Sequence, residues 1–321
     1  MINIAVLGTG KIIPEAIGAI QASGKFHVAN IWARPHSRDK AAALAEKFHV
    51  DKFTTDLDDI LNDAVIDFVY IGLVNAVHHE YAKKFLAAGK NVIVEKPFTT
   101  TAAEAQDLID LALSKKLYLF EAITTLHMPN FSAIRDALPK LGDIKIILCN
   151  FSQYSSRYDA YKNNHIVAPA FDPKLFGGAF MDINIYNLNF VVALFGRPKK
   201  ISHVFNRGWN GVDTGGTVTL EYENFFAQCI AAKDSASPSF ISIQGDGGYI
   251  LAHGTPNELR SFDLDIRGEG IKTFALNEFN HRMIHEFVDF GEIFERGDYS
   301  AVERGLKISL DVMQVVDAVK S

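Results

Sequence analysis

Cysteine is scarce in this sequence: the chain has 321 residues and only two cysteines, Cys149 and Cys229. They lie far apart and form no CxxC pair. A disulfide framework or a structural zinc site needs more cysteines at closer spacing. We therefore expect both residues to fill small spaces in the core, which is the usual place of a free cysteine.

An excess of positive charge is also missing. Lys and Arg number 32 against 38 Asp and Glu, which gives a net charge of -6. The basic residues cluster only in pairs, such as Lys83-Lys84, Lys115-Lys116 and Lys199-Lys200. Because nucleic-acid-binding proteins concentrate such residues on one face or stripe, we expect no nucleic-acid partner.

We find neither a long hydrophobic run nor a targeting segment. No apolar run reaches the roughly 18 residues of a membrane span, and the N-terminus has no basic flank or cleavage site. These features predict a cytoplasmic protein without a membrane partner. Since single cores rarely grow beyond about 250 to 300 residues, the length of 321 residues predicts two domains.

The first third of the chain alternates apolar strands with helices. Ile2 to Leu7 is almost wholly apolar, as in a strand buried on both faces of a parallel sheet. Strand and helix alternation with short connections predicts a doubly wound Rossmann domain over residues 1–121. Residues 122–321 contain neighbouring strands and few helices until a final helix near 301–319. This second domain is predicted to be α+β, with a large, mostly antiparallel sheet.

A glycine motif, Gly8-Thr9-Gly10-Lys11-Ile12, follows the first predicted strand. Gly8 permits a tight turn, and Gly10 lets the backbone approach a pyrophosphate at the start of a helix. Ile13 stands where the usual fingerprint has its third glycine, so the helix must pack further from the strand or begin differently. Inside a βαβ pattern the motif predicts dinucleotide binding.

The second predicted strand ends without the acid that binds the ribose 2′-hydroxyl in NAD sites. The residues there are Trp32-Ala33-Arg34-Pro35-His36-Ser37-Arg38. Arg34, Ser37 or Arg38 could reach a 2′-phosphate through charge-assisted hydrogen bonds, and Arg34 could stack on adenine. The expected cofactor is NADP or NAD, with NADP favoured.

A lysine emerges at the carboxyl end of an apolar strand, in the run Glu95-Lys96-Pro97. Ligands of doubly wound sheets bind outside that edge. Lys96 is therefore a catalytic candidate, because its cation could stabilise an alkoxide-like transition state. Further candidates for the cofactor crevice are Glu95 and, after the preceding strand, Leu73, Asn75 and His78.

Polar residues interrupt an apolar segment in the second half, GGAFMDINIYNLNFVVALF. In a helix after the glycine pair, Asp182 and Tyr186 stand at i and i+4 on one face, which Asn189 extends. Buried polar groups are costly unless they are paired or line a cavity. The segment therefore predicts either a site or a core tyrosine with a satisfied hydroxyl.

Metal ligands are not indicated, and we expect no metal. His281 and His285 have i, i+4 spacing, but no third ligand accompanies them. Asp289 occupies the position of the second histidine that an HExxH motif starting at His285 would need.

These motifs, taken in order, resemble the Gfo/Idh/MocA oxidoreductases, in particular the branch of dihydrodiol dehydrogenase and glucose-fructose oxidoreductase. The matching segments are IAVLGTGKI, NAVHHEYAKKFLAAGKNVIVEKPF, FEAI and GGAFMDINIYNLNFVVALFG. The resemblance implies that Lys96 is the active-site lysine and that Asp182 belongs to the substrate site. Tyr186 stands where other members carry a catalytic histidine or tyrosine. The sequence departs from the family at Ile13, at Asn184, where a glycine is common, and at Thr125 and Leu126, where an arginine is common.

The resemblance further implies hydride transfer between nicotinamide and a sugar, polyol or related hydroxy or carbonyl compound. Tyr186 would act as general acid/base, its phenolate favoured by the ammonium of Lys96. Asp182 would bind a neighbouring hydroxyl or orient Lys96. Further candidates for substrate contacts are Tyr154, Arg157 and His165.

Two other functions stay open at this point. The chain could be a non-catalytic cofactor-sensing regulator of the same fold, although its Lys96 and Tyr186 weigh against this, or an NAD-dependent glycosidase. Fold alone does not decide among them. An antiparallel sheet with an uncovered apolar face also predicts a homodimer or homotetramer.

Overall fold

The computed structural model describes residues 1–320, which form two compact units. The first unit contains residues 1–122 together with 281–310. The second contains residues 123–280 together with the chain from Asp311 on.

The first unit is built on a six-stranded parallel sheet in the order β3-β2-β1-β4-β5-β6. Its strands are β1 (Ile2–Leu7), β2 (Phe26–Trp32), β3 (Lys52–Thr54), β4 (Phe68–Ile71), β5 (Asn91–Glu95) and β6 (Leu119–Ala122). The helices between them are α1 (Ile12–Ala22), α2 (Arg38–Phe48), α3 (Asp58–Leu61), α4 (His78–Ala87) and α5 (Ala102–Lys115). This strand order is that of the Rossmann fold, so the predicted fold class is confirmed for this unit.

The strand order reverses at β1, which pairs with β2 on one side and β4 on the other. Residues Ile4 to Leu7 are fully buried, as the apolar run predicts for a central parallel strand. In such sheets ligands bind outside the carboxyl ends of the strands at the reversal. The loops after β1, β2, β4 and β5 all leave from that edge.

Residues 281–310 belong to the first unit, whereas the sequence-based division placed them within a second domain of residues 122–321. Helix α9 (Ile284–Arg296), which the sequence did not predict, packs aromatic side chains on the sheet. Phe290 stacks on Phe120 with ring centroids 4.5 Å apart, and Phe287 lies edge-on to Phe26 at 6.3 Å. Because aromatic rings bury large apolar areas, these contacts decide where the helix belongs.

The second unit contains an eight-stranded sheet in the order β14-β13-β12-β11-β7-β10-β9-β8. Its strands are β7 (Ile144–Ser152), β8 (Lys200–Arg207), β9 (Asp213–Glu221), β10 (Phe226–Ala232), β11 (Phe240–Gly245), β12 (Gly248–His253), β13 (Ser261–Ile266) and β14 (Gly270–Phe274). β7 and β10 pair in parallel, and the other neighbouring pairs are antiparallel. The prediction of a large, mostly antiparallel sheet is confirmed, although β13 and β14 were not foreseen.

The two cysteines face each other across the parallel pair, with Cys229 opposite Cys149. Both are fully buried free thiols. A hydrogen bond with Cys229, together with burial, raises the pKa of Cys149 well above its usual value. They fill the core as expected.

The remaining helices are α6 (Pro129–Ala137), α7 (Tyr158–Asn164), α8 (Ile185–Phe195) and α10 (Tyr299–Lys320), the last of which begins in the first unit and ends in the second. Within residues 1–320, one helical segment, Pro173–Phe195, is long and apolar enough to cross a membrane by length and composition. The sequence analysis had found no such run. Of its most apolar window 72% is buried inside the fold, and a core helix passes the same test.

Candidate functional site

The loop after β1 has the shape that a dinucleotide pyrophosphate requires. Gly8 adopts φ +121°, and a Cβ placed there would lie 2.7 Å from the carbonyl oxygen of Gly72. Only glycine meets both conditions. Helix α1 begins four residues later, at Ile12, with no side-chain cap from within the described chain. Its first N–H groups therefore suit an anionic ligand, so these residues fit the phosphates of NAD(P).

Gly72 explains how the loop tolerates Ile13. The Ile13 side chain is fully buried, and a Cβ on Gly72 would lie 2.5 Å from its Cδ1. The missing glycine of the fingerprint is thus compensated by a glycine after β4. Pro14 lies in the first turn of α1, where its missing N–H costs nothing.

The loop after β2 presents basic and hydroxyl groups. Arg34 is exposed, Ser37 precedes the first residue of α2, and the guanidinium of Arg38 lies 5.2 Å from the centre of the Phe53 ring. The sheet therefore brings these side chains to the same edge as Gly8. Helix α2 begins here and adds its N-terminal dipole.

The loop after β5, which carries Lys96, is fixed by a hydrogen bond to Glu121. The Lys96–Pro97 peptide bond is cis, and Lys96 is half-buried. The backbone N–H of Phe98 donates to Oε1 of Glu121 at 3.0 Å, and the Ser309 hydroxyl donates to Oε2 of the same carboxylate at 2.6 Å. These bonds fix the backbone from which Lys96 projects.

His78 connects this loop with the loop after β4. Its ring is fully buried, with Nδ1 2.9 Å from the carbonyl oxygen of Pro97 and Nε2 3.2 Å from that of Leu73. Burial lowers the pKa of His78. Leu73 and the half-buried Asn75 lie in the segment that His78 anchors.

Beneath Lys96 lies a buried cluster of acids that the sequence did not reveal. Glu95 is 7% exposed and accepts a hydrogen bond from the Tyr70 hydroxyl. Glu286 of α9 is fully buried, and neither of its oxygens accepts a hydrogen bond from any of residues 1–320. Burial, followed by the charge of Glu95, raises the pKa of Glu286 well above its usual value. Burial also raises the pKa of Glu95.

In the second unit, Gly177 and Gly178 precede α8 and let the chain pass close to Pro169 and Asp213. A Cβ on Gly177 would lie 2.6 Å from the carbonyl oxygen of Pro169. Gly178 has φ +110°, and its Cβ would collide with the carboxylate of Asp213. That carboxylate accepts the backbone N–H of Phe180 at 2.6 Å. Asp213, which the sequence analysis did not single out, therefore helps to fix the start of the helix.

Asp182 lies in a π-helical turn, Phe180–Asn184, that precedes α8. Such turns are frequent at functional sites. Its carboxylate Oδ2 lies 2.6 Å from Nζ of Lys233, and the side chains of Asp182 and Lys233 are 36% and 4% exposed. Sequence reasoning missed Lys233. The available signal was a lysine directly after the apolar strand FAQCIAA.

Tyr186 lies in the first turn of α8 and is 5% exposed. Its ring packs against Phe151 with centroids 6.1 Å apart. The helix around it is tied to β10, because the amides of Asn184 and Asn187 donate to the carbonyl oxygens of Cys229 and Ile230 at 3.0 and 2.9 Å. Asn184, one of the departures noted in the sequence, thus has a structural partner here.

The three other predicted substrate residues flank α7. Tyr154 is 43% exposed and donates from its hydroxyl to Asp159 Oδ1 at 2.6 Å, a bond that raises the pKa of Tyr154. Arg157 is exposed, and the ring of His165 lies 4.7 Å from Trp209. The backbone N–H of Ser155 donates to the Lys233 carbonyl, so the segment that carries Tyr154 runs beside the end of β10.

A phosphate loop at the reversal point of a Rossmann sheet, with a lysine at the carboxyl end of β5, is the arrangement expected of a nicotinamide-dependent oxidoreductase. The comparisons with known proteins agree. A family model described as an oxidoreductase family with an NAD-binding Rossmann fold matches residues 2–122, and the model of the GFO/IDH/MocA C-terminal domain matches residues 137–251. The chain belongs to the GFO/IDH/MocA family, as the sequence resemblance implied.

Similar proteins match between 79% and 100% of the chain. A scyllo-inositol 2-dehydrogenase (NADP(+)) of Bacillus subtilis is 30% identical over 99% of this chain and 95% of its own length. A trans-1,2-dihydrobenzene-1,2-diol dehydrogenase of Macaca fuscata fuscata is 30% identical over 79% of this chain and 76% of its own. The crystal structure of KijD10, a 3-ketoreductase from Actinomadura kijaniata with bound TDP-benzene and NADP, has a similar fold, with a TM-score of 0.82 at 22% identity over 100% of this chain and 97% of that one.

The protein is therefore an NAD(P)-dependent oxidoreductase that acts on hydroxy compounds. This confirms the predicted class of enzyme.

Proposed function

We propose that this enzyme transfers a hydride reversibly between NADP and the hydroxyl-bearing carbon of a polyol, sugar or related diol. The observation that carries the proposal is a helix presenting a buried tyrosine, Tyr186, next to a π-helical turn with a half-exposed carboxylate, Asp182. A phenol can exchange a proton with a reacting hydroxyl group, while a carboxylate accepts a hydrogen bond from the neighbouring hydroxyl group. Two similar proteins act on an inositol and on a diol, according to their names.

Each residue has a separate role in this scheme. Tyr186 exchanges a proton with the reacting oxygen, and Asp182 accepts a hydrogen bond from the adjacent hydroxyl. The ammonium of Lys96 stabilises negative charge that develops on the reacting oxygen. The nicotinamide, when bound, supplies or takes up the hydride at C4.

The test is turnover of NADP⁺ or NADPH with a panel of polyols, sugars and ketones. We expect Tyr186→Phe to lower kcat by about 10²- to 10⁴-fold, the usual contribution of a general acid/base, with unchanged affinity for NADPH. Tyr222→Phe is the matched control, since the Tyr222 hydroxyl donates to the Gly196 carbonyl at 2.8 Å, at the opposite end of α8 from Tyr186. Near-normal turnover of Tyr186→Phe would refute the assignment.

The same panel separates the other candidate functions. Tight cofactor binding without turnover of any compound would support a cofactor-sensing regulator. Release of sugar from glycosides without net change of the nicotinamide absorbance would support a glycosidase.

The preference for NADP follows from the loop after β2. That loop has no acid between Trp32 and Arg38, and it places Arg34, Ser37 and Arg38 at the start of α2. A lost charge-assisted hydrogen bond costs about 1.5–3 kcal/mol, so Arg38→Ala should weaken NADPH binding by about 10- to 100-fold. NADH binding should change little. Equal affinities of the wild type for NADPH and NADH, measured by fluorescence titration, would refute the proposed preference for NADP.

We also propose that the protein forms a homodimer or homotetramer through its eight-stranded sheet. Large apolar side chains are exposed on its strands, including Val204 at 70% and Ile271 at 60%. Exposed apolar surface of this kind favours association. Light scattering after gel filtration measures the mass, and a monomer at micromolar concentration would contradict the proposal.

A further inference from the structure

A buried lysine, Lys233, stands out among the residues that the sequence analysis did not consider. It follows β10 directly and is 3% exposed. Lysine is rarely buried to this extent unless its charge is paired. We therefore expect nearby groups to pair with the charge of Lys233.

The ammonium of Lys233 is surrounded by partners on several sides. Nζ donates to Asp182 Oδ2 at 2.6 Å and to the carbonyl oxygen of Ala170 at 3.0 Å, and it lies 4.7 Å from the centre of the Phe171 ring. An ammonium has three donors and no acceptor. Two hydrogen bonds and a cation–π contact leave it little freedom to move.

The two ends of this ion pair differ in exposure. The Lys233 side chain is 4% exposed, whereas that of Asp182 is 36% exposed. An ion pair that served the fold alone could be buried at both ends. Here the lysine is the fixed, buried end, and the carboxylate is the end that a solvent-borne molecule can reach.

A second carboxylate nearby does not replace Asp182 as the partner. Asp213 interacts with Lys233 only through its charge, and its own hydrogen bond comes from the Phe180 backbone. Burial raises the pKa of Asp213, and the charges of Lys233 and Arg207 oppose that shift. Lys233 therefore has one direct carboxylate partner among these two, and that partner is Asp182.

We infer that Lys233 is a positioning residue that holds the carboxylate of Asp182 in a fixed orientation, so that Asp182 accepts a hydrogen bond from a substrate hydroxyl next to the reacting carbon. A carboxylate has about four acceptor sites, so it can accept hydrogen bonds from Lys233 and from a substrate hydroxyl together. This inference rests on the proposed function, because the role of Asp182 is given there. It adds a residue that selects substrates with a second hydroxyl.

The variants are Lys233→Gln, Asp182→Asn and the double variant. Glutamine keeps an N–H donor for the Ala170 carbonyl but removes the charge that faces Asp182. Lys90→Met is the matched control, since Lys90 is also buried, at 9% exposure, but its ammonium donates to backbone carbonyls such as that of Ile66 at 3.0 Å. It should lower stability without changing substrate selection.

The kinetic measurement compares trans-cyclohexane-1,2-diol with cyclohexanol as hydride donors to NADP⁺. In the wild type we expect kcat/KM to favour the diol by about 10- to 100-fold, which is the effect of a hydrogen bond to a charged group. Lys233→Gln should lower that ratio at least 5-fold, mainly through KM for the diol, and leave the Kd for NADPH unchanged. The double variant should lose no more than Asp182→Asn alone.

A second measurement does not depend on turnover. The urea midpoint of the double variant should equal that of the less stable single variant if the two residues form one unit, and additive losses would overturn the pairing. An unchanged diol preference in Lys233→Gln, with an active wild type, would overturn the inference while the proposed function stands. A wild type inactive on all alcohols tested, with non-additive midpoints, would instead overturn the proposed function.

Discussion

Replacing Glu286 by glutamine should stabilise the first unit increasingly as the pH rises. Glu286 is fully buried, and neither carboxylate oxygen has a hydrogen-bond donor within residues 1–320. Burial raises its pKa well above the usual value, with a further contribution from Glu95. The folded chain therefore binds this proton more tightly than the unfolded chain does.

The sign and size of this pH-dependent change in the free energy of unfolding follow from proton linkage. For an acid whose folded pKa is raised, stability is fully present below the unfolded pKa, about 4.3, and falls as pH rises from there towards the folded pKa. The loss amounts to about 1.4 kcal/mol per pH unit within that window. Glutamine does not titrate, so the variant lacks this loss. Its advantage over the wild type should grow as the pH rises through that window, by at most about 1.4 kcal/mol per pH unit.

The assay is urea unfolding at several pH values, followed by the fluorescence of Trp32. A Trp209→Phe background removes the other tryptophan of the sequence, which lies in the second unit. Glu46→Gln is the control, because Glu46 is exposed on α2 of the same unit. A constant offset from burying an amide leaves the slope unaffected. Parallel curves for wild type and Glu286→Gln would refute the reasoning.

Two further substitutions test the packing of the first unit. Gly8→Ala should cost about 1–3 kcal/mol of stability because of the strained backbone. It should also weaken NADPH binding at least 10-fold, because φ is +121° and a Cβ would lie 2.7 Å from the Gly72 carbonyl oxygen. Calorimetric titration measures the affinity, and wild-type binding would contradict the proposed loop geometry. Phe290→Ala should lower the free energy of unfolding by about 3–5 kcal/mol, since it removes the ring stacked 4.5 Å from Phe120. A loss below about 1 kcal/mol in urea unfolding would show that α9 contributes little to this core.

Much of the architecture was predictable because it is local. Apolar runs such as Ile2–Leu7 and the alternation of strands with helices predict the parallel sheet, and the rule that ligands bind at carboxyl ends places Lys96 at its edge. Strand β13 was missed although SFDLDI alternates apolar and acidic residues. Helix α9 was missed because its assignment depends on aromatic contacts with a distant sheet.

The sequence by itself determined most of the strands and helices and which loops leave the ligand-binding edge, since hydrophobic period and glycine placement are properties of neighbours in the chain. Only the tertiary structure decided which distant residues meet. Lys233 reaches Asp182 across 51 positions, Gly72 makes room for Ile13, and Glu286 comes to lie beside Glu95. Sheet register and helix packing set these pairings, and neither can be deduced from the spacing of the residues along the chain.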